Sequence, residues 1–344
     1  MNKKSLVIKT VIMVLTVYLL FFLQIPYYVE RPGSAVVIND RVEVDGQTDQ
    51  SDSQYMLTTV EIFKATPFSS LFQFLPYHSG VSEIDLLGNY EDYSAYRNLQ
   101  RYYMDYSIDT AKAAAFNEAA LPYDINYEGV YVMSVSQKSN FFKDLKMGDS
   151  IAKIDEKSFD NTDEFIDYIA NQSVGDTVTL SVERDGKSVD ISGDLVLIEE
   201  TGNPGIGITL VTQSSVTTSP EVVIDAGNIG GPSAGLMFSL QVYKLLVEDF
   251  DSSLEVAGTG TIAENGEIGR IGGIDKKVVA ADREGASVFF APDDTISSEA
   301  LEENPDLKSN YETASETAEA INSDMQIVPV QHIKDAIDYL NTFD

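Results

Sequence analysis

From Thr10 to Tyr28 the chain is almost wholly apolar, broken only by Gln24 and Pro26. A run of that length can cross a bilayer as one helix. Lys3, Lys4 and Lys9 come before it and predict a cytoplasmic N-terminus, with Tyr18, Tyr27 and Tyr28 as interface markers. The competing reading is a cleaved signal peptide. The run is long for one, and the bulky Tyr28-Val29-Glu30-Arg31-Pro32-Gly33 that follows offers no small-x-small site. The expectation is therefore an uncleaved signal-anchor over residues 1–33, with everything after Gly33 outside the cytoplasm.

The rhythm then changes three times. In residues 34–122 a short β-like run, Ala35 to Ile38, precedes a polar tip from Asp45 to Ser53. A strand follows from Tyr55 to Phe63, then an apolar, aromatic stretch from Ser69 to Leu75, and a helix with an alanine cluster from Tyr102 to Leu121. In residues 123–200 strands are predicted at Gly129–Val135, at the end of Leu145–Asp155 and at Thr177–Arg184, with a turn at Asp185-Gly186. One helical turn is expected at Ser139–Asp144. An amphipathic helix is expected over Asn161–Asn171, capped by Thr162, with Phe165, Ile166 and Ile169 on one face. In residues 201–344 strands at Gly205–Val211 and Glu221–Asp225 lead to a helical pattern at Leu236, Met237, Leu240, Val242, Leu245 and Leu246. A second amphipathic helix opens after Gly272-Gly273. Strands at Ser287–Pro292 and Met325–Val330 and a closing helix at Ile333–Leu340 complete an α+β chain.

Composition narrows the function. The chain has 344 residues, enough for one or two domains with a sizeable core. Its net charge of −32 argues against nucleic acid and against adhesion to anionic lipid through basic residues. With no cysteine, disulfides, thiolate catalysis and cysteine-held metals are excluded, and no cofactor or metal is expected. Asp185-Gly186-Lys187-Ser188 ends like a P-loop, but the motif's first glycine would fall on Ser181, so no nucleotide site is expected. Only His78 and His332 could supply an imidazole, and both suit a surface or structural role better.

Candidate chemistry gathers at Asn228-Ile229-Gly230-Gly231-Pro232-Ser233-Ala234-Gly235. Ser233 should sit at a helix N-terminus under a tight glycine turn. Free N–H groups and the positive end of the helix dipole meet there, which suits a developing oxyanion. Backbone groups of Gly231, Pro232 and Ala234 surround that position. Downstream, Gly272-Gly273-Ile274-Asp275-Lys276-Lys277 brings a lysine to the start of the next helix. A lysine made neutral by burial can take a proton from a serine. Lys276 is the rival base, about a hundred degrees round the helix from Lys277. Asp225 is a candidate third member, though a plain strand-end carboxylate is the better reading.

Gly-Pro-Ser-Ala-Gly at 231–235 with Ile-Gly-Gly-Ile-x-x-Lys at 271–277 resembles the protease domain of the Lon family. The resemblance implies that Ser233 is the nucleophile and Lys277 the base of a Ser-Lys dyad, with Thr259 beside it. One departure is Gly230, where the family often has an acidic residue. Residues 123–200, and above all Leu-Lys-x-Gly-Asp-x-Ile at 145–151, resemble a PDZ domain, β-rich with short helices, which takes an extended peptide at a sheet edge. Anchor, PDZ and Lon-like α/β domain (201–344, with residues 34–122 as its expected first part) together resemble membrane-anchored PDZ–Lon-like serine proteases. That group includes the SepM-type pheromone-processing proteases. The resemblance implies an ATP-independent, extracytoplasmic endopeptidase of a bacterial membrane, acting on peptides or flexible segments with PDZ assistance. The reading from another class is a catalytically inactive, membrane-tethered PDZ peptide-binding protein. Whether the chain forms a homo-oligomer is left open.

Overall fold

The structure is a computed structural model and describes residues 3–88, 93–184, 186–199, 201–247, 250 and 253–343. Helix α1 spans Lys3–Phe21, and its apolar side chains are exposed all round. Strands β1 (Tyr27–Val37), β2 (Val42–Val44), β3 (Gln54–Lys64) and β4 (Ser79–Ser82) follow, then helices α2 (Glu83–Leu87) and α3 (Tyr93–Glu118). A two-turn 3-10 segment, Ser69–Phe74, lies between β3 and β4.

The expectation of one membrane-crossing helix reaching Tyr28 is corrected here. Among the described residues no helix is long and apolar enough to cross a membrane. The helix stops at Phe21, because Pro26 lacks an N–H and disfavours helical geometry at Ile25 before it. Ile25 instead donates its N–H to the Ala65 carbonyl, and the chain turns into β1. Tyr27 and Tyr28 are thus strand residues. Tyr28 is 1% exposed, its ring 5.4 Å from that of Tyr93, so it belongs to the core and not to an interface. β1 also begins eight residues before the expected Ala35 and pairs with β3 from Tyr28↔Lys64 to Val37↔Met56, with a bulge between Pro32 and Ala35. Helix α3 begins at Tyr93 and not Tyr102, since Tyr93 and Tyr96 extend its aromatic face towards Tyr28.

Seven strands follow: β5 (Tyr123–Val135), β6 (Ser150–Ile154), β7 (Thr177–Arg184), β8 (Lys187–Asp194), β9 (Val196–Ile198), β10 (Asn203–Gly205) and β11 (Ile208–Thr218). Helix α4 (Thr162–Ala170) lies between β6 and β7, and its cap is Asn161, not Thr162: the Asn161 side chain accepts the Glu164 N–H. The expected turn at Asp185-Gly186 starts on Asp185, which lies outside the described residues. Five of the strands form an antiparallel sheet in the order β11-β5-β6-β7-β8. Its core joins Val132, Phe141, Ile151, Phe165, Leu180 and Ile206.

The chain returns through β12 (Val222–Ile224), paired with β2, to helix α5 (Gly235–Leu246). Strands β13 (Glu255–Gly258), β14 (Thr261–Ile262) and β15 (Ile268–Gly269) lead to α6 (Ile274–Arg283) and β16 (Val288–Pro292). The last elements are α7 (Ser298–Glu303), α8 (Asn310–Ala320), β17 (Gln326–Val330) and α9 (Ile333–Leu340). A six-stranded sheet forms in the order β17-β16-β13-β3-β1-β4, with β13 parallel to both β3 and β16. Alternate residues of its strands point to opposite faces. Tyr55, Leu57, Val256 and Phe290 meet α3, α5 and α9, while Met56, Ala257 and Phe289 meet α6 and α8. The five-stranded sheet is therefore inserted, in sequence, between two parts of this six-stranded unit.

Candidate active site

The glycine turn takes its form from what lies against it. Gly231 has φ +92°, a backbone region that L side chains rarely adopt. A Cβ on Gly230 would come within 2.9 Å of the Gln100 Cβ, so α3 can lie directly on this turn only because the position is glycine. Pro232–Ala234 then form one 3-10 turn that runs into α5, which puts Ser233 half-buried at the head of that helix. The second turn is similar. Gly273 has φ +66° at the N-cap of α6, and the Lys277 N–H closes the first helical turn on the Gly273 carbonyl at 3.1 Å.

These two helix starts face one another. Lys277 Nζ lies 2.6 Å from Ser233 Oγ and 2.9 Å from Thr259 Oγ1. The Thr259 hydroxyl donates to the Ser233 carbonyl at 3.0 Å, and the Gly260 N–H reaches the same oxygen at 3.0 Å. Thr259 has no solvent exposure and Lys277 only 3%. Burial of the amine pushes the Lys277 pKa down from the ordinary 10.5 to about 7. Such an amine is neutral over part of the physiological range and can accept the serine proton. Lys276 lies apart, its Nζ 3.4 Å from the neighbouring Asp275 carboxylate.

Of the expected oxyanion groups, Gly231 donates its N–H to the Gln100 carbonyl at 2.8 Å, and Pro232 has no N–H. The remaining N–H groups of the turn are those of Ser233 and Ala234, both within the 3-10 segment Pro232–Ala234. Asp225 is exposed, and its carboxylate accepts the Gly227 N–H at 2.8 Å. The histidines are occupied elsewhere: His78 Nδ1 lies 2.8 Å from the Pro76 carbonyl, and His332 caps α9 with Nε2 2.7 Å from the Asn265 carbonyl.

Two contributors from α3 carry no motif. Gln100 acts through its backbone carbonyl, which sequence cannot mark. Ser107 is buried and donates its hydroxyl to the Pro232 carbonyl at 2.9 Å. A groove of about 1530 Å³ opens over the dyad, with Thr59 and Ile62 of β3 along one side and Arg97 and Arg101 of α3 along the other. A separate cavity of about 460 Å³ lies between α3 and the five-stranded sheet and reaches neither Ser233 nor Lys277.

Residues 107–195 match the PDZ domain model, and residues 221–341 match the Lon protease (S16) C-terminal proteolytic domain. The chain thus joins a PDZ domain to a serine peptidase domain of the Lon type, the composition of a PDZ–Lon-like protease. The PDZ match begins inside α3 and ends before β11, although β11 completes the sheet. The PDZ domain of the SdrC-like protein from Listeria monocytogenes is 43% identical over 26% of this chain and 93% of that one, with a TM-score of 0.25. Its counterpart from Listeria innocua is 43% identical over 24% and 92%, with a TM-score of 0.23. A solution structure from Geobacillus thermodenitrificans is 30% identical over 24% and 95%, with a TM-score of 0.22. No curated protein matches the chain.

Proposed function

We propose that this chain is a membrane-tethered, ATP-independent serine endopeptidase in which Ser233 is the nucleophile and Lys277 the general base. The reading is carried by the 2.6 Å approach of Lys277 Nζ to Ser233 Oγ, at an amine whose pKa burial lowers to about 7. Neutral Lys277 takes the Ser233 proton as Oγ attacks a peptide carbonyl. The Ala234 and Ser233 amides receive the developing oxyanion. The ammonium of Lys277 then returns the proton to the leaving amine, and water, activated by the same lysine, hydrolyses the acyl-enzyme. Thr259 holds Lys277 in line. With no nucleotide motif in the sequence, substrates are peptides and flexible segments, secreted peptides among them, which the PDZ domain recruits by strand addition. Tethering draws support from the all-round apolar exposure of α1, a surface that suits lipid and not water.

One observation favours a catalytically inactive, peptide-binding tether: the Gly231 amide is already taken by Gln100. Incubating the full-length protein with a mixed peptide pool, and identifying new termini by mass spectrometry, separates the two. The protease reading expects defined cleavages that disappear with Ser233→Ala. A pool left intact by the unmodified protein would favour the binding reading.

A further inference from the structure

The segment after β3 is unusual for so acidic a chain. Between Lys64 and Glu83 there is no Asp, Glu, Lys or Arg, although the chain holds 55 acidic residues. Within it, the turn around Ser69–Phe74 buries none of its side chains. Phe68 is 40% exposed, Leu71 57%, Phe74 79% and Leu75 50%. Mobile polar loops do not look like this, and the turn is fastened from both sides. The Tyr27 hydroxyl donates to Gln73 Oε1 at 2.7 Å, and β4, which follows at once, pairs with β1.

The patch is also continuous with α1. The Phe68 N–H donates to the Leu20 carbonyl at 3.0 Å, and the Phe21 and Phe68 rings lie 4.5 Å apart. Phe22 and Leu23 extend the same exposed apolar surface from the end of the helix. We propose that Phe68–Leu75 is a second membrane contact, a preformed wedge that enters the lipid surface beside α1 and fixes how the catalytic domain sits on it. Lipid fits better than an acidic or basic protein partner, because the patch offers aromatic and aliphatic side chains and no charge for either. The missing carboxylates also remove the repulsion that an anionic bilayer would exert on the rest of this surface. β1 runs from this wedge to Gly33 at the groove, six residues or about 20 Å. The wedge therefore holds the groove close to the bilayer and selects peptides at the membrane surface. This rests on the tethered reading above and adds a contact that α1 alone does not supply.

The chain has no tryptophan, so Phe74→Trp in the full-length protein gives a single reporter at the most exposed point of the wedge. Ile166→Trp, on α4 of the PDZ domain, serves as the distant control. Each variant is mixed with vesicles of phosphatidylcholine and phosphatidylglycerol, with or without bromine on the upper acyl chain, and co-flotation is measured in the same samples. The expected result is co-flotation of both variants, with emission of Phe74→Trp shifted to the blue and lost with brominated lipid, while Ile166→Trp is unaffected. Co-flotation with a water-like, unquenched Phe74→Trp overturns the wedge and leaves the tether standing. A blue shift that bromine does not quench also overturns it, because protein, such as a second copy of the chain, then covers the patch. Failure to float overturns both the tether and the wedge.

Discussion

Lys277 is the residue whose ionisation organises the site. Its pKa lies at about 7 because burial strips water from the ammonium. Turnover should therefore rise with pH through about 7 and level off above it, and replacing both histidines with glutamine should leave that limb in place. Activity that loses its pH dependence with the histidines would contradict the lysine base. The same shift bears on stability, and its sign follows from the lowered value. Below about pH 7 folded and unfolded chains both hold the proton, and the buried charge costs its full amount. Between about 7 and 10.5 only the unfolded chain holds it, so stability rises with pH, and above that range the cost is gone. Lys277→Met should thus be more stable than the unmodified protein below pH 7, on the order of a few kcal/mol, with the gap closing as pH rises. Thermal unfolding of the two proteins across pH reads this directly. Thr259→Val removes the acceptor for Lys277 and the donor to the Ser233 carbonyl. It should lower kcat about 10²-fold by misaligning the pair, while Thr259→Ser retains most of the activity.

At the scale of elements, α3 is the piece that touches both the five-stranded sheet and the turn that carries Ser233. Tyr102 donates its hydroxyl to the Thr212 carbonyl of β11 at 2.9 Å and stacks on Tyr131 of β5, with ring centres 4.4 Å apart. A turn and a half along the same helix, Ser107 holds the Pro232 carbonyl next to Ser233. Ser107→Ala should cost about 1 kcal/mol for the lost hydrogen bond. It should appear as a drop in kcat of several-fold with KM little changed, and a rise in KM with kcat unchanged would place Ser107 in binding. Sequence pattern was clear where one rule governed a stretch. The two glycine turns marked both helix starts, because glycine takes φ +92° at Gly231 and φ +66° at Gly273 without the strain that a side chain would add. It was unclear where tertiary contacts outweighed local preference. Tyr27 and Tyr28 read as membrane markers because their partners, β3, β4 and Tyr93, lie far along the chain. Gln100 was invisible because its backbone, not its side chain, meets Gly231.

At the scale of the whole molecule, Ser233 and Lys277 lie at two helix starts beside the six-stranded sheet, while the five-stranded sheet belongs to the PDZ match. The chain enters the six-stranded sheet twice, through β1, β3 and β4 and again through β13, β16 and β17. α3 reaches β11 through Tyr102 and the Ser233 turn through Ser107, a physical route between the two units. Cutting that route with Tyr102→Phe should leave cleavage of a short peptide unchanged if the PDZ domain only recruits substrate. A fall in kcat for the same peptide would mark a gate. The most direct measurement of the central claim is the site and rate of reaction with a serine-directed fluorophosphonate, followed by intact mass and peptide mapping. A single adduct on Ser233 is expected, forming faster as pH rises through about 7 and lost in Lys277→Met. An adduct on another residue, or labelling of Lys277→Met as fast as that of the unmodified protein, would contradict the Ser233–Lys277 dyad.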